Sequence, residues 1–173
     1  MELSDSIIAC ICEGASEQAI MELLLDSDKL IFNSEQLLDE EIIRIRDAKK
    51  FEQKYLRKGF NKTITVLRIL DSRNENFKLS KAYIDKVTVI NIITAPEIEM
   101  LIIFNEDKYD KLKKSKIKPS DFCKINLKYK SVKNYEFVKK YFNDIDKLIG
   151  SIYKYKKISN IKKGECTLSD LLK

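Results

Sequence analysis

Three short runs constrain the fold more than anything else in this chain. Residues 6–12 (SIIACIC), 63–70 (TITVLRIL) and 87–93 (VTVINII) are dense in β-branched and other apolar side chains and too short for core helices. Such near-continuous runs are what strands buried on both faces look like. Between them the pattern turns helical. Residues 16–26 put Ile20, Leu23 and Leu24 on one face, with Ser16 as N-cap. Residues 29–32 read as a further short strand. Asn33 or Ser34 then caps a long amphipathic helix to about residue 58, with Leu37, Leu38, Ile42, Ile45, Phe51 and Tyr55 inward and Gly59 at its end. A helix is expected over 75–85, and another from Pro96 to about residue 113. Strand–helix alternation predicts an α/β domain with a mostly parallel central sheet flanked by helices. Lys118-Pro119-Ser120 marks a break. The expected organisation is an α/β domain over 1–115 and a basic, mainly helical extension over 116–173, packed on the same domain.

Composition removes whole classes of chemistry. Among 173 residues there is no His, so Ser-His-Asp triads, Cys-His pairs and His-ligated zinc are excluded. Cys10, Cys12, Cys123 and Cys166 form no C-x-x-C pair; Cys10 and Cys12 would share one strand face as small buried hydrophobes. No G-x-G-x-x-G or G-x-x-x-x-G-K-[ST] motif is present. No apolar run reaches the roughly 18 residues of a membrane span, and the opening Met-Glu-Leu-Ser-Asp lacks an export signal, so a cytoplasmic location and no membrane partner are expected.

In an open parallel sheet, ligands bind beyond the carboxyl ends of the strands. The first run is followed by Glu13-Gly14, the second by Asp71-Ser72-Arg73, and the third by Thr94-Ala95-Pro96-Glu97-Ile98-Glu99. Three strand ends thus deliver carboxylates to one edge, the hard oxygen donors that Mg²⁺ takes. Each has a structural alternative. Glu13 could be a loop acid beside a turn glycine, Asp71 a helix N-cap, Glu97 the acid of a Thr94 capping box. Glu17 is read as an acid favouring the helix dipole. Glu99 lies inside Ile98-Glu99-Met100-Leu101-Ile102-Ile103-Phe104, where a carboxylate must be protonated, metal-bound or paired, for instance with a lysine.

Together these segments resemble the TOPRIM domain, the metal-binding unit of topoisomerases, primases and some bacterial defence nucleases. The resemblance covers residue 5 to about 110. It rests on the apolar strand Ile7–Cys12 followed by Glu13-Gly14 and a helix, on a strand ending at Asp71, and on Pro96-Glu97-Ile98-Glu99 opening an apolar helix. It implies Glu13 as general acid/base or metal ligand, Asp71 as metal ligand and Glu99 as third acid, with Mg²⁺ or Mn²⁺ as cofactor. The family's Asp-x-Asp reads Asp71-Ser72-Arg73 here. A cation at Arg73 repels a metal, so either Glu75 substitutes as ligand, Arg73 contacts phosphate, or metal binding is lost.

The net charge of +6 is uneven: residues 1–105 carry 14 Lys/Arg against 18 Asp/Glu, and residues 106–173 carry 19 against 9. The basic part contains Lys111, Lys113, Lys114, Lys116, Lys118, Lys128, Lys130, Lys139 and Lys140 as candidate phosphate contacts, with Lys124 and Lys133 in the same stretch. Tyr129, Tyr135, Phe137 and Tyr141 are interleaved, either to stack bases or to fill the core. Lysine without arginine suits non-specific phosphate contact. The expected activity is Mg²⁺-dependent phosphodiester cleavage of nucleic acid by a TOPRIM-like nuclease of a defence or mobile-element system, with a partner protein such as an ATPase conceivable. The alternative is a non-catalytic module binding nucleic acid or a partner protein.

Overall fold

Alternation along the three apolar runs sends two different sets of side chains to the two faces of one sheet. The computed structural model describes residue 3 and residues 5–72, 76–94 and 98–173. Strands β1 (Ser6–Cys12), β2 (Thr63–Leu70) and β3 (Val87–Ile93) pair in parallel in the order β1-β2-β3. In register, Cys12 lies beside Ile69 and Ile69 beside Ile92. Ile8, Cys10, Cys12, Leu67, Ile69 and Ile92 share the larger core; Ala9, Ile11, Ile64, Val66 and Val87 share the smaller one on the opposite face. The protein is therefore α/β, with a parallel sheet in which β1 and β2 are buried on both sides while the edge strand β3 exposes Thr88, Val89 and Asn91.

Seven α-helices lie among the described residues: α1 (Ala15–Asp26), α2 (Ala48–Phe51), α3 (Glu99–Asn105), α4 (Tyr109–Ser115), α5 (Pro119–Ile125), α6 (Tyr135–Tyr141) and α7 (Ile145–Ile158). On the larger core, α7 and α5 pack against α3, and α6 against α1. No helix among the described residues is long and apolar enough to cross a membrane.

Several sequence expectations are corrected. The long helix over 34–58 does not form. Asn33 makes its capping box with Gln36, but only over a 3-10 turn, and Asp39 and Glu40 at φ 55° and 57° break the run. Beyond them Ile43 pairs with β1, donating to Cys10 O at 2.8 Å and accepting from Cys12 N at 2.9 Å. An open strand edge needs partners for its backbone groups, and that demand overrides helical periodicity. Helix returns only at α2 and a π-helical turn, Glu52–Leu56, three residues short of Gly59.

The helix over 75–85 is likewise absent from its described part: residues 76–80 have no regular secondary structure and 81–86 form turns. Exposed Asn76, Lys78 and Ser80 alternate there with inward Phe77 and Leu79, a period of two rather than 3.6. Pro96 lies outside the described residues, and the helix expected from it divides into α3 and α4 at Asp107 (φ 51°). Lys154 holds that division, donating to Phe104 O at 3.3 Å and to Asp107 Oδ1 at 2.7 Å. Residues 29–32 form no strand. Leu30 makes one antiparallel bridge to Leu172, with Ile31 N donating to Leu171 O at 2.9 Å. Ser16 is not the N-cap of α1; Gly14 is, without a side-chain bond.

Candidate functional site

The carboxyl ends of β1 and β2 leave the sheet side by side, and the backbone ties them there. Glu13 N donates to Ile69 O at 3.1 Å, continuing the ladder one residue past β1. The Glu13 side chain turns back across the edge, and its Oε2 accepts from Asp71 N at 3.1 Å. Only 9% of that side chain is exposed, so Glu13 is no loose loop acid. Arg46, from the segment that replaced the expected helix, donates to Glu13 O from Nε at 3.1 Å and Nη2 at 2.8 Å. Its Nη2 also lies 3.6 Å from Glu13 Oε1.

Asp71 is partly exposed, and the helical turn it would cap falls largely on residues outside the described ones. Glu99 opens α3 with its side chain 1% exposed. One ammonium joins the two: Lys133 Nζ lies 3.7 Å from Asp71 Oδ2 and 3.6 Å from Glu99 Oε1. These oxygens are thus no further apart than the two distances laid end to end. The lysine partner anticipated for a buried Glu99 is present, and it is shared with Asp71. Lys133 is presented by a tethered loop: Val132 is buried beside it, Asn134 N donates to Ser131 O at 2.9 Å, and the Asn134 side chain caps α6 by accepting from Phe137 N at 3.1 Å.

A fourth acid lies beneath. Glu17, read from the sequence as a dipole acid, is 3% exposed in the first turn of α1 and accepts from Ser16 Oγ at 3.0 Å. Its carboxylate explains Gly14. The Gly14 backbone is extended, but a Cβ there would stand 2.4 Å from Glu17 Oε2. Burial first, then a hydrogen bond with Cys10 and the charges of Glu17 and Glu22, push the Cys12 thiol well up, so it is no nucleophile. Cys10 and Cys123 are also buried and form no disulfide.

The structure therefore brings Glu13, Asp71 and Glu99 to one edge. Arg73, Glu75, Pro96 and Glu97 lie outside the described residues. Among the described residues, no group of three or more Cys, Asp or Glu side chains is arranged to hold a metal ion. As a test of fit, the donor set is all oxygen, and Asp71 and Glu99 flank a point already carrying positive charge. That suits a hard cation in kind, while Lys133 competes for the place.

The lysines separate into groups. Lys111, Lys113 and Lys114 are exposed on α4, and Lys116, Lys118, Lys128 and Lys140 are exposed elsewhere along 116–140. Lys139 is committed within the protein, 3.4 Å from Glu22 Oε2 and 3.3 Å from Asp26 Oδ2. Lys130 lies in a cleft beside Glu99. The interleaved aromatics are structural. Tyr129, Phe137, Tyr141 and Phe142 pack in one cluster, Phe137 stacked on Tyr141 and the other pairs tilted or edge-on, and the hydroxyls of Tyr129 and Tyr141 donate to Glu106 Oε1 at 3.0 and 2.7 Å.

Lys133, Arg46 and Glu17 escape sequence reasoning as parts of this edge. A lysine in a lysine-rich stretch and an arginine in an apparent helix carry no local signal. For Glu17 there was one: a Glu one turn after a Glu-Gly pair, beside a glycine that has to leave it room. Comparison with protein-family models, curated proteins and solved structures finds no match.

Proposed function

We propose that this edge is a TOPRIM-like site for Mg²⁺-dependent cleavage of nucleic-acid phosphodiesters. The supporting observation is that carboxylates from three distant segments, Glu13, Asp71 and Glu99, meet at the carboxyl ends of parallel strands with two of them around one cationic position. Asp71 and Glu99 would hold the metal, with Glu13 beside them. A bound Mg²⁺ supplies charge stabilisation to the phosphoryl oxygens and lowers the pKa of a coordinated water. Glu13 fixes the position of Asp71 through its backbone N–H, and its largely buried carboxylate is the candidate proton acceptor for an attacking water. Arg46, more than half exposed at the rim, and Lys133 offer positive charge to a phosphate that gathers charge in the transition state.

Purified protein with Mg²⁺ or Mn²⁺ is expected to nick or degrade DNA or RNA, and Glu13→Gln, which keeps an acceptor for Asp71 N, is expected to abolish cleavage while leaving the fold intact. Cleavage by Glu13→Gln at the unmutated rate refutes the assignment.

A second reading is favoured by one specific observation: the place between Asp71 and Glu99 already carries an ammonium. On that reading the edge is a non-catalytic, degenerate version of the site that binds nucleic acid or a partner protein. Calorimetric titration separates the two, since absence of heat at millimolar Mg²⁺ selects the binding module.

A further inference from the structure

Beside the carboxylate edge, where α5 and the loop before α6 approach the start of α3, lies an open cleft of about 300 Å³. Lys124, Lys130, Lys133, Ser120, Ser131 and Asn134 line it, and Glu99 closes its inner wall. We infer that this cleft binds a phosphate group of a nucleic-acid strand together with the sugar it carries, and that Lys133 links the bound phosphate to the acid edge. The inference rests on reading the edge as a nucleic-acid site.

Charge comes first. Three ammonium groups against one carboxylate leave the lining net positive, and Lys133 already sits against Glu99 and Asp71, so the surplus belongs to Lys124 and Lys130. Both are exposed, and their charge falls on the solvent side of the cleft. The remaining polar groups match a phosphate ester: two serine hydroxyls can donate to phosphoryl oxygens, and the Asn134 amide adds a donor, although its Oδ1 is engaged with Phe137 N.

The volume sits at the lower end for small-ligand sites, enough for a phosphate with an attached sugar. No aromatic ring lines the cleft, so it offers backbone contact without base stacking. The lining is also held in place: Tyr129 N donates to Cys123 O at 2.9 Å, tying the loop to α5, and buried Val132 anchors its middle.

A strand whose phosphate occupied this cleft would lie against Lys133 and bring the next phosphodiester toward Glu13 and Asp71. The sequence signal was diluted, because Lys124 and Lys133 belong to a stretch with many lysines and only the fold separates those facing the cleft from those facing solvent.

The test is a fluorescence anisotropy titration of the full chain in EDTA with labelled hexanucleotides carrying either a 5′-phosphate or a 5′-hydroxyl, and with unlabelled inorganic phosphate as competitor. The double variant Lys124→Gln/Lys130→Gln is compared with Lys81→Gln/Lys86→Gln, in the turns over 81–86, as an exposed control. The cleft variant is expected to weaken binding at least ten-fold at low salt. Its salt slope should drop by about 0.7, the contribution of one phosphate contact on a single strand. The control should change affinity less than three-fold.

Equal loss for both oligonucleotides identifies an internal phosphodiester as the ligand, and loss confined to the 5′-phosphorylated one identifies a terminal phosphate; either supports the cleft. Equal binding by the cleft variant and the unmutated protein overturns it, as does absence of oligonucleotide binding by the unmutated protein. Because EDTA removes metal, the outcome is independent of whether the edge cleaves: a cleft that binds beside an edge that does not cut retains this inference and refutes only catalysis.

Discussion

Replacing Lys133 by glutamine is the perturbation that bears most directly on the proposed site. Its ammonium stands 3.7 Å from Asp71 Oδ2 and 3.6 Å from Glu99 Oε1. At such separations, with an effective dielectric constant near 20, each attraction is of order 4 kcal/mol before desolvation. Half of the Lys133 side chain is exposed, and measured exposed pairs give only about 0.2–1 kcal/mol. Glu99 is almost wholly buried, and stripping a buried charge of its counterion costs about 3–5 kcal/mol. A pair with one wet and one dry partner falls between, so Lys133→Gln is expected to lower unfolding free energy by about 1–2 kcal/mol without metal.

The same substitution removes the competitor for the cation position. If Mg²⁺ binds between Asp71 and Glu99, its affinity should rise by a comparable free energy, about ten-fold. Saturating Mg²⁺ should then recover the lost stability through binding to the folded state. Urea denaturation with and without Mg²⁺, beside calorimetric titration, measures both effects. A variant that stays folded yet binds Mg²⁺ no more tightly than the unmutated protein refutes a metal position between these two carboxylates.

Two further perturbations test the frame around the site. Gly14→Ala places a Cβ too close to Glu17 Oε2 and should cost about 1–2 kcal/mol through displacement of a buried carboxylate; adding Glu17→Ala should cancel part of that cost, a coupling a double-mutant cycle by urea denaturation reads directly, and strict additivity would sink the steric account. Burial alone would raise the Glu22 carboxyl, but hydrogen bonds from Tyr135 and Gln18 and the Lys139 ammonium outweigh it and hold the group below its ordinary value. Its stabilising contribution is therefore complete above about pH 5 and fades as pH falls through the depressed folded value. Glu22→Gln should be less stable at pH 7 and lose less between pH 5 and 3; parallel pH profiles for the two proteins would contradict this.

All three strands, their parallel sense and the edge to which Glu13, Asp71 and Glu99 belong were legible in the sequence, because β1 and β2, buried on both faces, are apolar along nearly their whole length and the half-exposed β3 is still dense in β-branched residues. The connections were not. In residues 34–58 hydrophobic spacing looked helical, but the unpaired edge of β1 took Ile43 for itself. In residues 76–80 the two-residue period was present yet too short to stand out beside a charged, helix-favouring composition. Asp107 divided a helix that sequence reasoning ran on, since a non-glycine residue at positive φ leaves no clear mark in composition. Lys133 illustrates the limit for the site itself. Its meaning comes from a loop docking beside α3, and nothing within ten residues of it distinguishes it from its neighbouring lysines.

The bridge between Leu30 and Leu172 also orders assembly in time. Leu168 and Leu171 fill the larger core, and Lys173 N donates to Lys29 O at 3.0 Å, so residues 168–173 clasp the segment just after α1. Contacts of such long sequence separation form late, after the intervening chain has condensed. The β1–β2 ladder, which carries Glu13 and Asp71 at its end, joins segments much closer in sequence than Leu30 and Leu172 and can pair before the clasp closes. The Glu13–Asp71 part of the edge is thus expected to form before the apolar face of α1 and α3 is sealed, and slow closure would expose that face to aggregation rather than separate those two acids.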